Sequence, residues 1–143
     1  MQKLLHKKAN ALQAIRSLTD KMSEQLNGAI GAEAYEGILE LLQERKLKME
    51  EIDVLDKQIA FLDAVGFSPA NPAEADRIHA ERSAIQALLI NIRESDEANS
   101  SLITLARDRV MEELKDVRDG QKGMHAYHSV STEEDGHQLD MLR

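Results

Sequence analysis

Histidine spacing is the first place where this 143-residue chain, which contains no cysteine, could carry chemistry. His125 and His128 stand three positions apart, and on one face of a helix two imidazoles could bind a transition metal. Two acid–histidine pairs share that spacing: Asp76 with His79, and Glu134 with His137. Di-metal helical bundles need paired E-x-x-H motifs on facing helices, and here that motif occurs once. Because glutamate-rich helices produce such spacings by chance, the sequence predicts no metal and no cofactor.

Motifs that identify common active sites are missing from the sequence. It has no G-x-x-x-x-G-K-[ST] phosphate loop, no G-x-G-x-x-G turn, no H-E-x-x-H helix and no G-x-S-x-G nucleophile elbow. Without cysteine it also has no thiolate nucleophile and no disulfide framework. We therefore expect a protein without enzymatic activity.

The charge balance restricts the partners. Eighteen basic and 26 acidic residues give a net charge of -8, which repels nucleic acid and anionic lipid. A basic cluster at Lys3, Lys7 and Lys8 has no interleaved aromatic residues, so we interpret it as a solvated helix face. No apolar stretch approaches the roughly 18 residues of a membrane span, and the N-terminus does not resemble a signal peptide. The sequence predicts a cytoplasmic protein with neither nucleic acid nor membrane as partner.

The composition is typical of long helices: 42% hydrophobic but only 3% aromatic residues, with 7 glycines and 2 prolines. Apolar residues at intervals of three and four predict helices over about 2–26 and 33–65. The Asn27-Gly28 pair, with its tolerance of the left-handed conformation, and then Gly66 should end them. Asn71 and Glu74 form a capping-box pattern at the start of a third, long helix.

Short loops between these helices favour antiparallel neighbours. The predicted fold is all-α: an elongated antiparallel three-helix bundle or coiled coil with a long third helix, followed by a short C-terminal helical segment or tail. We expect one helical domain over 1–128 and a flexible acidic tail over 129–143.

The third helix carries more apolar surface than the second can cover. The two match from about Pro72 to Thr104, and the remainder, to Val117, should run past the hairpin. Large apolar side chains contribute about 1.5–3 kcal/mol each on burial, so this surplus should fold back, pair with a second copy or hold a partner's helix. The surplus apolar residues are Leu105, Val110, Met111, Leu114 and Val117. The predicted binding residues are Leu102, Ile103, Ala106, Val110, Met111, Leu114, Val117 and Tyr127.

Polar residues interrupt the apolar pattern of the third helix at Ser95, Asp96 and Asn99. They form either a polar layer that fixes register, a kink, or a recognition element. Arg45 lies among apolar positions of the second helix, where it should pair with an acid across the bundle or contact a partner directly.

Two segments together resemble the FliT-type flagellar export chaperones. The segment LLQERKLKMEEIDVLDKQI, Leu41–Ile59, is similar to the L-x-x-R … I-D-x-L-D helix of that family. In the segment Ile92–Ser129, an Asp-x-x-Asn pair precedes a Leu-rich helix with an R-x-G-x-K … A-Y ending. The matching residues are Asp96, Asn99, Arg118, Gly120, Lys122, Ala126 and Tyr127. Asn99 also fits the related FlgN-type chaperones of hook–filament junction proteins, whereas Asp96 and the ending favour FliT.

The resemblance implies a cytoplasmic, ATP-independent chaperone. Such proteins bind a helical C-terminal segment of the filament-cap protein, prevent its early assembly and deliver it to the export apparatus. Some members contact export-gate or export-ATPase components, and some bind a transcriptional regulator. In the free protein, the segment with Tyr127 could cover the apolar groove, with Gly120 and Gly123 either as a hinge or as a helix stop. The main alternative is a self-associating coiled-coil adaptor that forms a homodimer.

Overall fold

The computed structural model describes residues 1–28 and 32–131, with only the backbone described for 32–34 and 125–131. Within these residues it contains three helices and no strand: α1 (Gln2–Asn27), α2 (Ala32–Ala64) and α3 (Pro72–Ser131). All three contribute to one buried cluster, so the predicted all-α fold is confirmed. The chain separates into two compact units, Met1–Leu102 and Ile103–Arg143. The domain predicted over 1–128 stays a prediction, and most of the tail predicted over 129–143 lies outside the described residues.

The first unit has its core along one face of α1, as the periodicity predicts. Every third or fourth residue of α1 points inward and meets isoleucines of the other two helices. The cluster consists of Leu5, Ala11, Leu12, Ile15, Ile52, Ile59, Ile78, Ile85 and Ile92. Leu18 and Met22 form a second, smaller cluster with Leu41. The regular spacing of α1 therefore translates directly into burial.

The buried face of α2 matches the predicted one only in part. The apolar spacing predicts Ile52, Leu55 and Ile59 inside, and all three are buried. The same spacing predicts Leu42 and Met49 inside, but they are 43% and 50% exposed, whereas Leu41 is buried and Arg45 is half-buried. Because α2 carries apolar residues on nearly every side, two rows of three-and-four spacing compete, and only tertiary contacts decide between them. The row through Leu41 and Arg45 is the one that faces the bundle.

Local side-chain chemistry starts α3 where the sequence predicts. The Asn71 side chain accepts a hydrogen bond from the Glu74 amide at 2.8 Å, which satisfies a free N–H of the first turn. In return, the Glu74 carboxylate accepts one from the Ala70 amide at 3.1 Å. The predicted capping box is therefore present, with its return bond one residue earlier than usual.

The ends of α1 and α2 use different chemistry. Gly66 has a φ of +80°, a left-handed conformation that glycine adopts without strain, and the following Phe67 amide donates to the Leu62 carbonyl at 3.0 Å. At the end of α1, Gly28 has a φ of -95°, so the left-handed cap expected there is wrong. Instead, the Asn27 side-chain amide donates to the Ser23 carbonyl at 2.9 Å.

Of the two roles left open for Gly120 and Gly123, the helix stop is wrong. The helix continues through both glycines to Ser131. Each glycine costs about 1 kcal/mol in a helix interior, which a helix already propagating over many turns can absorb. Since the chain stays helical past Gly123, it does not turn back there over the preceding residues, as the predicted cover would require.

Candidate partner-binding surface

Six of the predicted binding residues lie between Ile103 and Val117 in the second unit, and the helix brings them to one side. We call this set the C-terminal stripe: Ile103, Ala106, Val110, Met111, Leu114 and Val117. Their spacing of three and four, with one adjacent pair, keeps them within a band along α3. Leu102, also predicted, is the last residue of the first unit and is half-buried.

The C-terminal stripe is open to solvent. Met111 is 63% exposed, Val117 57%, Leu114 49% and Val110 48%; only Ala106 is half-buried. An isolated exposed leucine is normal in a soluble protein, but a continuous apolar row along several helical turns marks a surface that another molecule covers. The stripe therefore has the chemistry of a helix-binding or helix-pairing surface.

Met124 extends this surface, although sequence reasoning missed it. It lies seven residues after Val117, on the same side of the helix, and is 63% exposed. Methionine is flexible and often fills gaps in a core, which predicts buried positions for Met22, Met49 and Met124. Met22 is buried, but Met49 and Met124 are exposed. The seven-residue interval between Val117 and Met124 could have indicated this. It carries that meaning only if the helix continues through Gly120, where a helix stop was one of the roles considered.

Two further predicted residues, Gly120 and Gly123, lie inside the helix with open space around them. A Cβ added at either position would meet no atom within 4 Å. Their hinge role stays a prediction. The side chain of Tyr127 lies outside the described residues, so its predicted contact also stays a prediction.

A buried polar layer occupies the break in the apolar pattern of α3, within the first unit. The Arg45 guanidinium donates to both carboxylate oxygens of Asp96, each at 2.5 Å. This confirms the expected acid partner across the bundle. The Asp96 hydrogen bond raises the pKa of Arg45 above its ordinary value, against the opposing effect of burial. The pair is therefore a fully charged, two-pronged contact between α2 and α3.

Asn99 extends the polar layer to α1. Only 3% of it is exposed, and its amide donates to the Thr19 carbonyl at 3.3 Å while its carbonyl oxygen accepts from the Ser23 hydroxyl at 2.7 Å. The Thr19 hydroxyl, wholly buried, donates to the Ile15 carbonyl at 2.7 Å and accepts from Arg45 at 3.4 Å. Since these groups satisfy one another inside the bundle, the layer serves packing, and recognition by Asp96 or Asn99 has no support from their contacts.

Metal-ligating residues do not converge within the part of the chain that the structure describes. No group of three His, Asp or Glu side chains there could hold an ion. His79 is exposed on α3. The side chains of His125 and His128, and both residues of the Glu134–His137 pair, lie outside what is described.

Comparison of the chain with known protein families, with curated proteins and with solved structures gives no match. Among the described residues, no helix combines the length and apolarity needed to cross a membrane. The geometry of the C-terminal stripe is therefore the principal support for a function.

Proposed function

We propose that this chain is a cytoplasmic export chaperone of the FliT type that holds a helical C-terminal segment of the flagellar filament-cap protein on its C-terminal stripe. It acts by binding and carries out no reaction. While held, the client cannot assemble, and the complex goes to the export apparatus, with export-gate or export-ATPase components as further partners. The observation that supports this most directly is the continuous exposed apolar row along α3.

An antiparallel arrangement of the three helices is part of this proposal. Three ion pairs support it: Lys8 with Asp56, Arg45 with Asp96, and Arg82 with Asp63. Lys8, early in α1, meets Asp56, late in α2. Between α2 and α3 the numbering runs in opposite directions: Asp63 meets Arg82, whereas the earlier Arg45 meets the later Asp96. Such a bundle has its own complete core, so it does not need the C-terminal stripe for its stability.

Apolar burial gives the C-terminal stripe a driving force for binding a helix. Side chains that are about half exposed gain roughly 1 kcal/mol each when a partner covers the rest. The five larger residues of the stripe, with Met124, supply several kcal/mol, an amount comparable to the lower limit of the entropic cost of association, so contacts beside the stripe must add to it for a stable complex. Exposed Met111 suits this role because methionine adapts its shape to different partners.

A pair of charge insertions tests the proposal. Val110→Glu together with Leu114→Glu should leave the bundle folded but weaken binding of the filament-cap C-terminal segment at least tenfold, because two carboxylates would be buried against apolar groups. The matched control is Leu47→Glu with Val54→Glu on α2, where the exposed fractions are 62% and 56%. Calorimetric titration gives the affinity, and circular dichroism reports the fold.

Three results would contradict the proposal. The first is unchanged binding in the Val110/Leu114 variant, and the second is equal weakening in the α2 control. The third is a tight dimer of the free chain that refuses the client segment, which would favour the self-associating adaptor. Tighter binding of a hook–filament junction protein than of the filament-cap segment would move the assignment to the FlgN type.

A further inference from the structure

The two sides of the C-terminal stripe differ in charge. Four cations lie on one side of it: Arg107, Lys115, Arg118 and Lys122. Arg107 directly follows Ala106, Lys115 follows Leu114 and Arg118 follows Val117. One residue further along a helix is a fixed rotation of roughly 100°, so these three cations lie on the same side. Lys122 lies four residues after Arg118, about one helical turn on, and therefore also lies on that side. We call this row the basic flank.

The opposite side of the stripe has no such excess. The residues that directly precede stripe positions there are Leu105, Arg109, Glu113 and Asp116, with one cation and two carboxylates. Residues 103–124 as a whole carry five basic and five acidic residues, within a chain whose net charge is -8. This segment therefore has no excess of positive charge. Its cations are instead concentrated along one side of the apolar row.

The basic flank is available to a partner. All four cations are exposed, and none takes part in an ion pair within the described residues. Lys115, Arg118 and Lys122 line one shallow groove together with Met111 and Leu114. Two carboxylates also line it: Glu112 directly follows Met111, and Asp119 lies two positions past Val117. At roughly 100° per residue, both lie further round the helix from the centre of the stripe than the four cations do. A helix that covers the stripe meets the cations before it meets these carboxylates.

From this arrangement we infer that the C-terminal stripe takes an amphipathic helix of another protein with acidic residues along the edge that meets the basic flank. This rests on the proposed function and deepens it, since it specifies the charge pattern of the client. A second copy of the same segment is a poorer occupant. An antiparallel copy would place basic flank against basic flank, and a parallel copy would offer only the mixed side.

Two synthetic helical peptides test the inference. The two peptides have the same apolar residues at intervals of three and four. They differ only in the residues beside this apolar face: one peptide has glutamates along both edges, and the other has lysines there. Several exposed charge pairs would each add a modest attraction, so the acidic peptide should bind the full chain about tenfold more tightly at low salt. The preference should shrink at about 0.5 M salt, where exposed charges are screened.

Charge-reversed chains locate the effect. Lys115→Glu with Arg118→Glu should abolish or invert the preference. Lys3→Glu with Lys7→Glu, which changes the net charge equally at exposed positions of α1, should leave it intact. Equal binding of both peptides, or a preference for the lysine peptide, would overturn the inference while the stripe could still bind helices.

Failure of the proposed function gives a different result. If neither peptide binds the chain and the Val110/Leu114 variant keeps its affinity for the filament-cap segment, the stripe is not a client site at all. A free chain whose mass in solution is that of a dimer, and which both peptides fail to dissociate, would identify a second copy as the occupant and overturn the inference as well.

Discussion

The first unit of this chain and the described part of the second contain the same types of apolar residue, but the first unit buries them and the second exposes them. Leu12 on α1 is 3% exposed, whereas Leu114 on α3 is 49% exposed, although both lie in regular helical rows of similar spacing. The difference is the presence of neighbours: α1 packs against two helices, while nearly all described side chains after Leu102 are exposed. Periodicity predicts which side of a helix is apolar, but burial depends on what covers that side.

Truncating matched leucines is the most direct way to break this comparison. We expect Leu12→Ala to lower the free energy of unfolding by about 3 kcal/mol, because it leaves a cavity in the core. Leu114→Ala should lower it by less than about 0.5 kcal/mol. Urea unfolding followed by circular dichroism measures both. Similar losses would mean that Leu114 packs in the free protein, and would remove the basis for a binding stripe.

Asp96→Ala should have the next largest effect. It would leave the Arg45 guanidinium, with 16% of its side chain exposed, without a counter-ion, and we expect a loss of about 2–3 kcal/mol. Glu97→Ala, which breaks only the exposed pair with Arg93, should cost less than about 0.5 kcal/mol.

A double replacement sharpens the result for the polar layer. Arg45→Leu combined with Asp96→Leu should recover most of the stability, since no unpaired charge remains buried. Failure to recover would show that the wider network, with Thr19 and Asn99, depends on the ion pair. Equal losses for Asp96→Ala and Glu97→Ala would contradict a structural role for the layer.

The smallest expected effect concerns the glycines of α3. Replacing Gly120 and Gly123 by alanine should stabilise the local helix by about 1 kcal/mol each, since a new Cβ meets open space at both. Slower amide hydrogen exchange over 110–124 would show it. Gly66→Ala is the contrasting change and should destabilise the protein, because φ at that position is +80°. If the stabilised helix also loses client affinity, the glycines act as a hinge; unchanged affinity would refute that role.

Local signals account for what could be predicted from the sequence. The buried face of α1 follows from one unambiguous apolar row, and the start of α3 follows from Asn71 and Glu74, whose side chains act within four residues. The acid partner of Arg45 was predictable in kind, because a cation at an inward position needs one. Asp96 interrupts the apolar row of α3, but it can be identified as the partner only once the positions of α2 and α3 along each other are known.

Features that depend on a balance between two alternatives of similar free energy could not be predicted from the sequence. The choice between Leu41 and Leu42 on α2 is made by the other helices, since both rows are apolar. The end of α3 depends on whether the free-energy cost of each glycine exceeds the gain from extending a long helix. The spacing of apolar residues does not measure either quantity. The omission of Met124 from the candidate surface followed directly from the misplaced end.

The two-pronged contact between Arg45 and Asp96 also bears on which wrong assemblies the chain can form. A slip of one helix by a single turn displaces its side chains by about 5.4 Å, far enough to separate the guanidinium from both carboxylate oxygens. An apolar core would tolerate that slip with modest loss, but a half-buried cation separated from its anion would not. Misassembled bundles therefore incur a penalty that apolar packing alone would not impose.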